Sequence, residues 1–357
     1  MAAGQKNAAV LDLTHGGIII AQKMAQLGYN VSAIDVYNTV DPETLADLQD
    51  FNIHTSKDPI PVNEFDIIIA PVHLDPNYKM LQQARDMGKE IVTHHKIVGE
   101  ILSHDKTIVS TGARIIEITG TKAKTSTASI LADMLSCKMN VVLHTTRGLE
   151  YWENGTPFLI YKGLSIAPGS ILHAVDKTAS YISSNSNYKS KSKSNLVPPD
   201  VYIFEVSIGG TGYADIGILT TLTQDYRIAN NMAWASNAKM QMLDNAKSGS
   251  TLIINCTDDA ATCRNLNNSV KTVTFSNSKD CTGDVTLTLD EDTIIMNSGS
   301  NWMSVINAQP GYDVGSYTTA MVAAATAALE MGVELDIIRD TLADFEGLSG
   351  RMREQVF

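Results

Sequence analysis

Residues 117–128 read EITGTKAKTSTA. Lys124 followed by Thr125 supplies a cation for a terminal phosphate and a hydroxyl for a Mg²⁺ ion. The usual phosphate loop is Gly, four residues, Gly-Lys-Ser/Thr. Here Ala123 precedes the lysine and Ile118 stands where the first glycine belongs. The run Gly120, Thr121, Lys122, Ala123, Lys124, Thr125, Ser126 is therefore either a variant nucleotide loop or a strand-to-helix turn with an incidental lysine. Alanine resists backbone conformations that glycine permits, but its presence removes neither the charge nor the hydroxyl.

Other residues offer chemistry that fits a nucleotide site. Glu205 ends the apolar run VYIFEVS, where a strand-end acid can hold Mg²⁺ or simply face solvent. Asp225 follows GILTTLTQD in an analogous place. Lys239, within WASNAKMQML, reads as a solvated residue on a helix face, and Arg351 in GLSGRMREQV as an exposed arginine. His15, Gly16 and Gly17 follow a first apolar run, and His94 and His95 close EIVTHH. They either cap helices and fill a seam or line a polar pocket for a multi-carboxylate ligand, with Lys96 and Arg147 nearby in the sequence.

These residues need a scaffold, and the chain supplies two α/β series. AAVLDL, NVSAIDVY, FDIIIAPV and EIVTHH read as strands, and GIIIAQKMAQLG and NYKMLQQARDMG as helices between them. Repeated βα units give a parallel sheet that binds ligands at the carboxyl ends of its strands. A second series starts near Asp105. RIIEITG is a strand running into a helix over 125–136; DVYIFEVS, ADIGILTTLT and STLIINC are further apolar runs. DVTLTLDEDTIIMNSGSNWMSVI alternates with period two, as antiparallel hairpins do. GSYTTAMVAAATAALEMG and ELDIIRDTLADF are helices. The Ser-, Asn- and Lys-rich stretch 183–195 reads as a solvated loop.

The 357 residues exceed one ordinary core, so two or three domains are expected. A net charge of −12 argues against general attraction to nucleic acid or an anionic membrane. No run approaches a membrane span, no leader pattern opens the chain, and the four cysteines lack C-x-x-C spacing. A cytoplasmic chain with buried, reduced thiols is the expectation.

Taken in order, the pieces resemble the Mur ligase family over nearly the whole chain. Its loop Gly-Thr-Asn/Lys-Gly-Lys-Thr-Thr/Ser is matched by GTKAKTS except at Ala123. Its Glu-x-Ser strand end is matched by Glu205-Val206-Ser207, and its Asp-His followed by Ala-Lys by Asp225-Tyr226 and Ala238-Lys239. Its Asn-x-Asp-Asp stretch is similar to residues 255–259, and its Gly-x-x-Gly-Arg linker is matched by residues 347–351. The resemblance implies an N-terminal Rossmann-like parallel-sheet domain (1–104), a P-loop-type central ATPase domain (105–349) and the start of a linker (350–357), the C-terminal ligase domain being absent or truncated. It implies ATP and Mg²⁺ as cofactors, with a substrate carboxylate activated as an acyl phosphate. Catalytic roles fall to Lys124, Lys239 and Arg351. Thr125, Glu205, Asp225 and a carbamylated Lys239 are the implied Mg²⁺ ligands, and Asp313 lies by the adenine.

The chain also departs from the family. Tyr226 replaces a histidine that serves a second Mg²⁺, and Tyr312-Asp313 replaces His-Asn. DLTHGG, joined to these departures, is similar to a branch whose implied substrate is a nickel-containing seco-tetrapyrrole acid. There the activated propionate closes a ring, with no nucleic acid or membrane partner and an undefined oligomeric state. An amino-acid ligase and a non-catalytic nucleotide-binding module stay open beside it.

Overall fold

The first four apolar runs fold as β1 (Asn7–Leu11), β2 (Asn30–Ile34), β4 (Ile67–Ala70) and β5 (Glu90–Thr93) in a computed structural model, which describes residues 5–186, 197–278, 281–290, 293–306 and 311–348. The short polar strand β3 (His54–Ser56), which sequence reading missed, joins them. All pair in parallel, in the order β3-β2-β1-β4-β5. Successive strands add on one side of β1 and then on the other, so a crevice opens beyond the carboxyl ends of β1 and β4.

A second sheet has eleven strands. Its first members are β6 (Arg114–Thr119), β7 (Val141–Thr145), β8 (Gly148–Glu153), β9 (Thr156–Tyr161), β10 (Val201–Glu205) and β11 (Ile216–Leu219). A small separate ribbon, β12 (Arg227–Ile228) with β13 (Ala233–Trp234), interrupts the series. The sheet continues with β14 (Thr251–Asn255), β15 (Lys271–Ser276), β16 (Val285–Asp290), β17 (Thr293–Ser298) and β18 (Asn301–Ile306). Its centre, β16-β15-β14-β11-β6-β10-β7, is parallel. The alternating segment forms the expected antiparallel flank β16-β17-β18, and β7-β8-β9 forms another.

Helices Lys124–Ser136 and Thr318–Glu330 pack together on one face of this sheet. Both are buried nearly all round, and the Ala-rich sequence of the second lets backbones approach closely. On the other face, Ile171, Leu172 and Val175 of helix Gly169–Ser186 share one apolar cluster with Ile20 and Met24 of helix Ile18–Gln26. Tyr202 and Phe204 of β10 belong to the same cluster, so the two sheets are joined through a common core.

Three expectations are corrected. EIVTHH is not strand throughout: Thr93 accepts a hydrogen bond from Lys96 N (3.1 Å) and caps a helix that begins at His94. Residues 183–186 belong to the end of a helix, not a loop; residues 187–195 lie outside the described residues. The cysteines are not all buried thiols, since Cys256 is disulfide-bonded to Cys281 and Cys137 and Cys263 are exposed. Among the described residues no helix is long and apolar enough to cross a membrane.

Candidate functional site

The loop after β6 has the shape of an anion cradle. Gly120 has φ +145°, and a Cβ there would come within 2.0 Å of Thr220 Oγ1, so only glycine fits. The loop is tied to the end of β11: Thr121 N donates to Thr221 O (2.7 Å) and Thr220 Oγ1 to Lys122 O (2.6 Å). Ala123 adopts a left-handed conformation, φ 66° and ψ −5°, which puts an alanine where the backbone calls for glycine. The alanine keeps the loop's geometry at a cost of about 1–2 kcal/mol. Lys124 opens the following helix and its Nζ donates to Gly120 O at 3.1 Å.

Glu205 reaches the same loop from the end of β10. It is buried, and both its carboxylate oxygens accept from Thr125 Oγ1 at 2.9 Å; Thr146 N donates to Oε2 at 3.2 Å. A hydroxyl and a carboxylate side by side are hard oxygen donors of the kind Mg²⁺ takes, so the residues present fit that ion. They line a cavity of about 620 Å³ with Thr121 to Ser126. Asn255, Asn277 and Thr319 complete its far side. Sequence reading missed Thr146 and Asn277, which lie in ordinary polar turns with no motif around them.

Lys239 corrects its expected setting. It lies at the end of helix Ala235–Lys239, 1% exposed rather than solvated, and its Nζ has no hydrogen-bond partner. The ammonium sits 4.7 Å from the ring centre of Tyr226. Burial pushes its pKa down; Asp225 opposes this and Lys124 adds to it. Asp225 accepts from Ser236 N (2.9 Å) and Tyr226 N (2.9 Å), and so fixes the start of Lys239's helix. Asp313 is exposed and forms a turn with Gly315 N at 3.0 Å, which positions Ser316 and Tyr317 on the cavity wall. Arg351 lies outside the described residues.

The second cavity, about 210 Å³, is lined by His15, His73, His94 and His95. It sits where the first sheet reverses its strand order: Asp12 and His15 follow β1, and His73 follows β4. Asp12 is fully buried at φ 66°. Its Oδ2 meets His15 Nδ1 at 2.7 Å and His73 Nε2 at 3.2 Å, and its Oδ1 accepts from Thr14 N at 2.9 Å. Burial favours the neutral acid, but the hydrogen bonds from His73, His15 and Thr14 outweigh it and bring the pKa to about 2.

His94 and His95 are buried spacers between elements. His94 Nε2 donates to Leu11 O (2.9 Å) and His95 Nε2 to Ser207 O (2.8 Å). Burial lowers their pKa values to about 3 and about 4, so both are neutral at pH 7. Gly16 and Gly17 are taken up by close packing. A Cβ on Gly16 would lie 2.9 Å from Gly169 Cα, and one on Gly17 would lie 2.1 Å from Asp12 O. Asp12 opens the DLTHGG run but is not singled out within it by sequence reading, and His73 belongs to no motif; 61 residues separate the two.

The two cavities adjoin. Ile166 and Glu205 line the first, while Ala167, Pro168, Ser207 and Ile208 line the second. Two backbone segments thus pass from one cavity to the other within about two residues each, roughly 7 Å of extended chain.

Comparison with known proteins agrees with this geometry. The family model for the Mur ligase middle domain matches residues 118–323. The chain is 47% identical over 366 residues to Coenzyme F(430) synthetase of Methanosarcina acetivorans, a match covering 98% of this chain and 74% of that protein. It is 23% identical over 251 residues to the protein of the same name from Methanocaldococcus jannaschii, covering 67% of this chain and 50% of that one. The solved structure of UDP-N-acetylmuramoyl-L-alanyl-D-glutamate–2,6-diaminopimelate ligase superposes with a TM-score of 0.52 at 18% identity, over 80% of this chain and 61% of that one, a likeness of fold. With a glycine-dependent loop, a buried threonine–glutamate pair and more than half its length matched, the chain belongs to the Mur ligase family of ATP-dependent ligases.

Proposed function

We propose that this chain uses ATP to activate a propionate of a nickel-containing seco-tetrapyrrole acid and closes the carbocyclic ring of coenzyme F430, acting in the cytoplasm. The observation that carries the reading is the contact between the two cavities. One has the chemistry for triphosphate; the other opens at the switch point of the first sheet and suits a small-molecule substrate. The proposed division is a substrate unit over residues 1–104 and a nucleotide unit over 105–349.

A carboxylate is a poor electrophile, and transfer of the terminal phosphoryl group to its oxygen creates a leaving group. A ring carbon of the same macrocycle then attacks the carbonyl carbon. The new carbon–carbon bond forms as phosphate departs, and the ring carbon gives up its proton. Lys124 neutralises charge on the transferring group. Thr125 and Glu205 would hold Mg²⁺, which would offset charge on the phosphates. Lys239, carbamylated, would add a further anionic oxygen, with Asp225 beside it. His15, His94 and His95 border the substrate cavity, while Gly16 and Gly17 pack the turn that carries His15.

Incubation of the protein with the nickel seco-tetrapyrrole acid, ATP and Mg²⁺ tests the reading. ADP and phosphate should appear with no amino acid present, and the tetrapyrrole should become lighter by one water. A heavier product that requires an added amino acid would establish the amino-acid ligase instead. An unchanged mass would exclude the ring closure.

A further inference from the structure

The cluster of Asp12, His15 and His73 exceeds what packing requires. A buried carboxylate is shared by two imidazoles whose rings stand 4.6 Å apart, edge to face. Asp12 occupies His15 Nδ1 and His73 Nε2. In a neutral imidazole whose Nδ1–H donates to a carboxylate, the lone pair lies on Nε2. Among the described residues the hydrogen bond of the half-exposed His15 ring is made through Nδ1, which leaves Nε2 to the cavity mouth. This is the arrangement by which proteins orient a histidine toward a metal: one ring nitrogen held by a carboxylate, the other presented outward. Imidazole nitrogen suits nickel among other transition metals.

Position and size narrow the role. The side chain of His15 is 50% exposed, against 28% for His73 and 0% for Asp12, so His15 stands at the mouth and Asp12 at the base. The cavity of about 210 Å³ is smaller than the roughly 300–1,000 Å³ that encloses a drug-sized ligand. A macrocycle cannot enter it, but can lie across its mouth with one imidazole beneath its centre. Tyr37, 44% exposed and 6.2 Å from the His15 ring, flanks that mouth with an aromatic surface.

We infer that His15 is an axial ligand to the nickel of the bound tetrapyrrole, with Asp12 as the residue that positions it and His73 as the second donor to the same carboxylate. The inference rests on the tetrapyrrole reading above and adds what holds that substrate by its metal. Coordination through Nε2 fixes the macrocycle relative to Glu205 and the phosphate loop without using the carboxylate that must react.

The test is a titration of the protein with the nickel seco-tetrapyrrole acid in the absence of ATP, followed by absorption and by the paramagnetism of nickel. Addition of an axial nitrogen to four-coordinate nickel moves the visible bands and raises the spin. Wild type should show both changes. His15→Ala should show neither, should bind about tenfold or more weakly, and should regain the bands when free imidazole is added. Asp12→Asn should weaken binding by about 10- to 100-fold, as loss of an orienting partner does. The metal-free macrocycle should bind wild type and His15→Ala equally. His15→Ala with the wild-type spectrum overturns the inference, as does capture of Ni²⁺ alone with no change in the macrocycle's bands. Loss of water by the tetrapyrrole with wild type and ATP is measured in parallel. Its failure removes the ring-closure reading, whereas its success without the spectral difference removes only the axial ligand.

Discussion

Thr125 Oγ1 lies 2.9 Å from each carboxylate oxygen of Glu205, although 80 residues separate them. A buried carboxylate with a hydroxyl and one backbone N–H as neighbours is incompletely satisfied, which suits a metal ligand better than a core residue. Glu205→Gln should therefore raise the Mg²⁺ concentration needed for ATP turnover and leave the melting temperature without nucleotide almost unchanged. A large fall in that melting temperature would make Glu205 a structural anchor for Thr146.

Lys124→Ala should leave the fold intact and nearly abolish turnover. Its Nζ donates to the loop's own Gly120 carbonyl at 3.1 Å, which holds the ammonium over the loop where a terminal phosphate would sit. Loss of a charge contact made in the transition state costs roughly 3–4 kcal/mol, or about a hundredfold to a thousandfold in rate. Steady-state ADP release measures this, and near-normal rates would remove the loop from the mechanism.

Ala123→Gly should stabilise the protein. Alanine at φ 66° costs about 1–2 kcal/mol, and glycine returns about 0.4–1 kcal/mol of that as unfolded-state entropy. A net gain of about 0.5–1 kcal/mol should appear as a higher denaturation midpoint at unchanged slope. A loss of stability would mean that the methyl group makes packing contacts worth more than the strain.

Much of this arrangement is legible in the sequence, because each legible part is local. β6, the loop and its helix are contiguous, and the period-two run at 285–306 carries its own pairing information. Glu205 is announced by the strand it ends. What stays hidden depends on contacts between distant segments. The burial of Lys239 comes from the ring of Tyr226 and the surrounding turns, so five helical residues alone cannot reveal it. Asp12 and His73 meet only because β1 and β4 are neighbours in the sheet. The Cys256–Cys281 bond likewise follows from the parallel pairing of β14 with β15, which brings the ends of both strands to one edge.

Lys239 should accept carbon dioxide. A buried amine with a lowered pKa and no hydrogen-bond partner is a better nucleophile at neutral pH than a solvated lysine. With ¹³C-bicarbonate, wild type should show a carbamate carbon resonance that Lys239→Arg lacks. The arginine variant should also lose most turnover, since its guanidinium supplies no anionic oxygen. Full activity in Lys239→Arg would exclude a carbamate from the mechanism.

Stability should fall steeply below neutral pH, and three buried histidines set the slope. Burial depresses His94 to about 3, His95 to about 4 and His144 to about 4, each from 6.5. Above about pH 7 both folded and unfolded chains carry these rings neutral, and they contribute no pH dependence. Between about pH 6.5 and pH 4 the unfolded chain binds three protons that the folded chain does not, so acid favours unfolding. Each histidine contributes at most about 1.4 kcal/mol per pH unit, or about 4 kcal/mol per unit for the three together. Asp12 acts at lower pH: its folded pKa of about 2 lies below 3.8, so its contribution persists above that value and is lost only as pH falls through about 2. Denaturant melts from pH 7.5 to 5 measure the slope. His144→Leu, which replaces a fully buried ring by an apolar side chain of similar volume, should reduce that slope by up to about 1.4 kcal/mol per pH unit. An unchanged slope in the variant would mean that His144 takes up its proton in the folded protein.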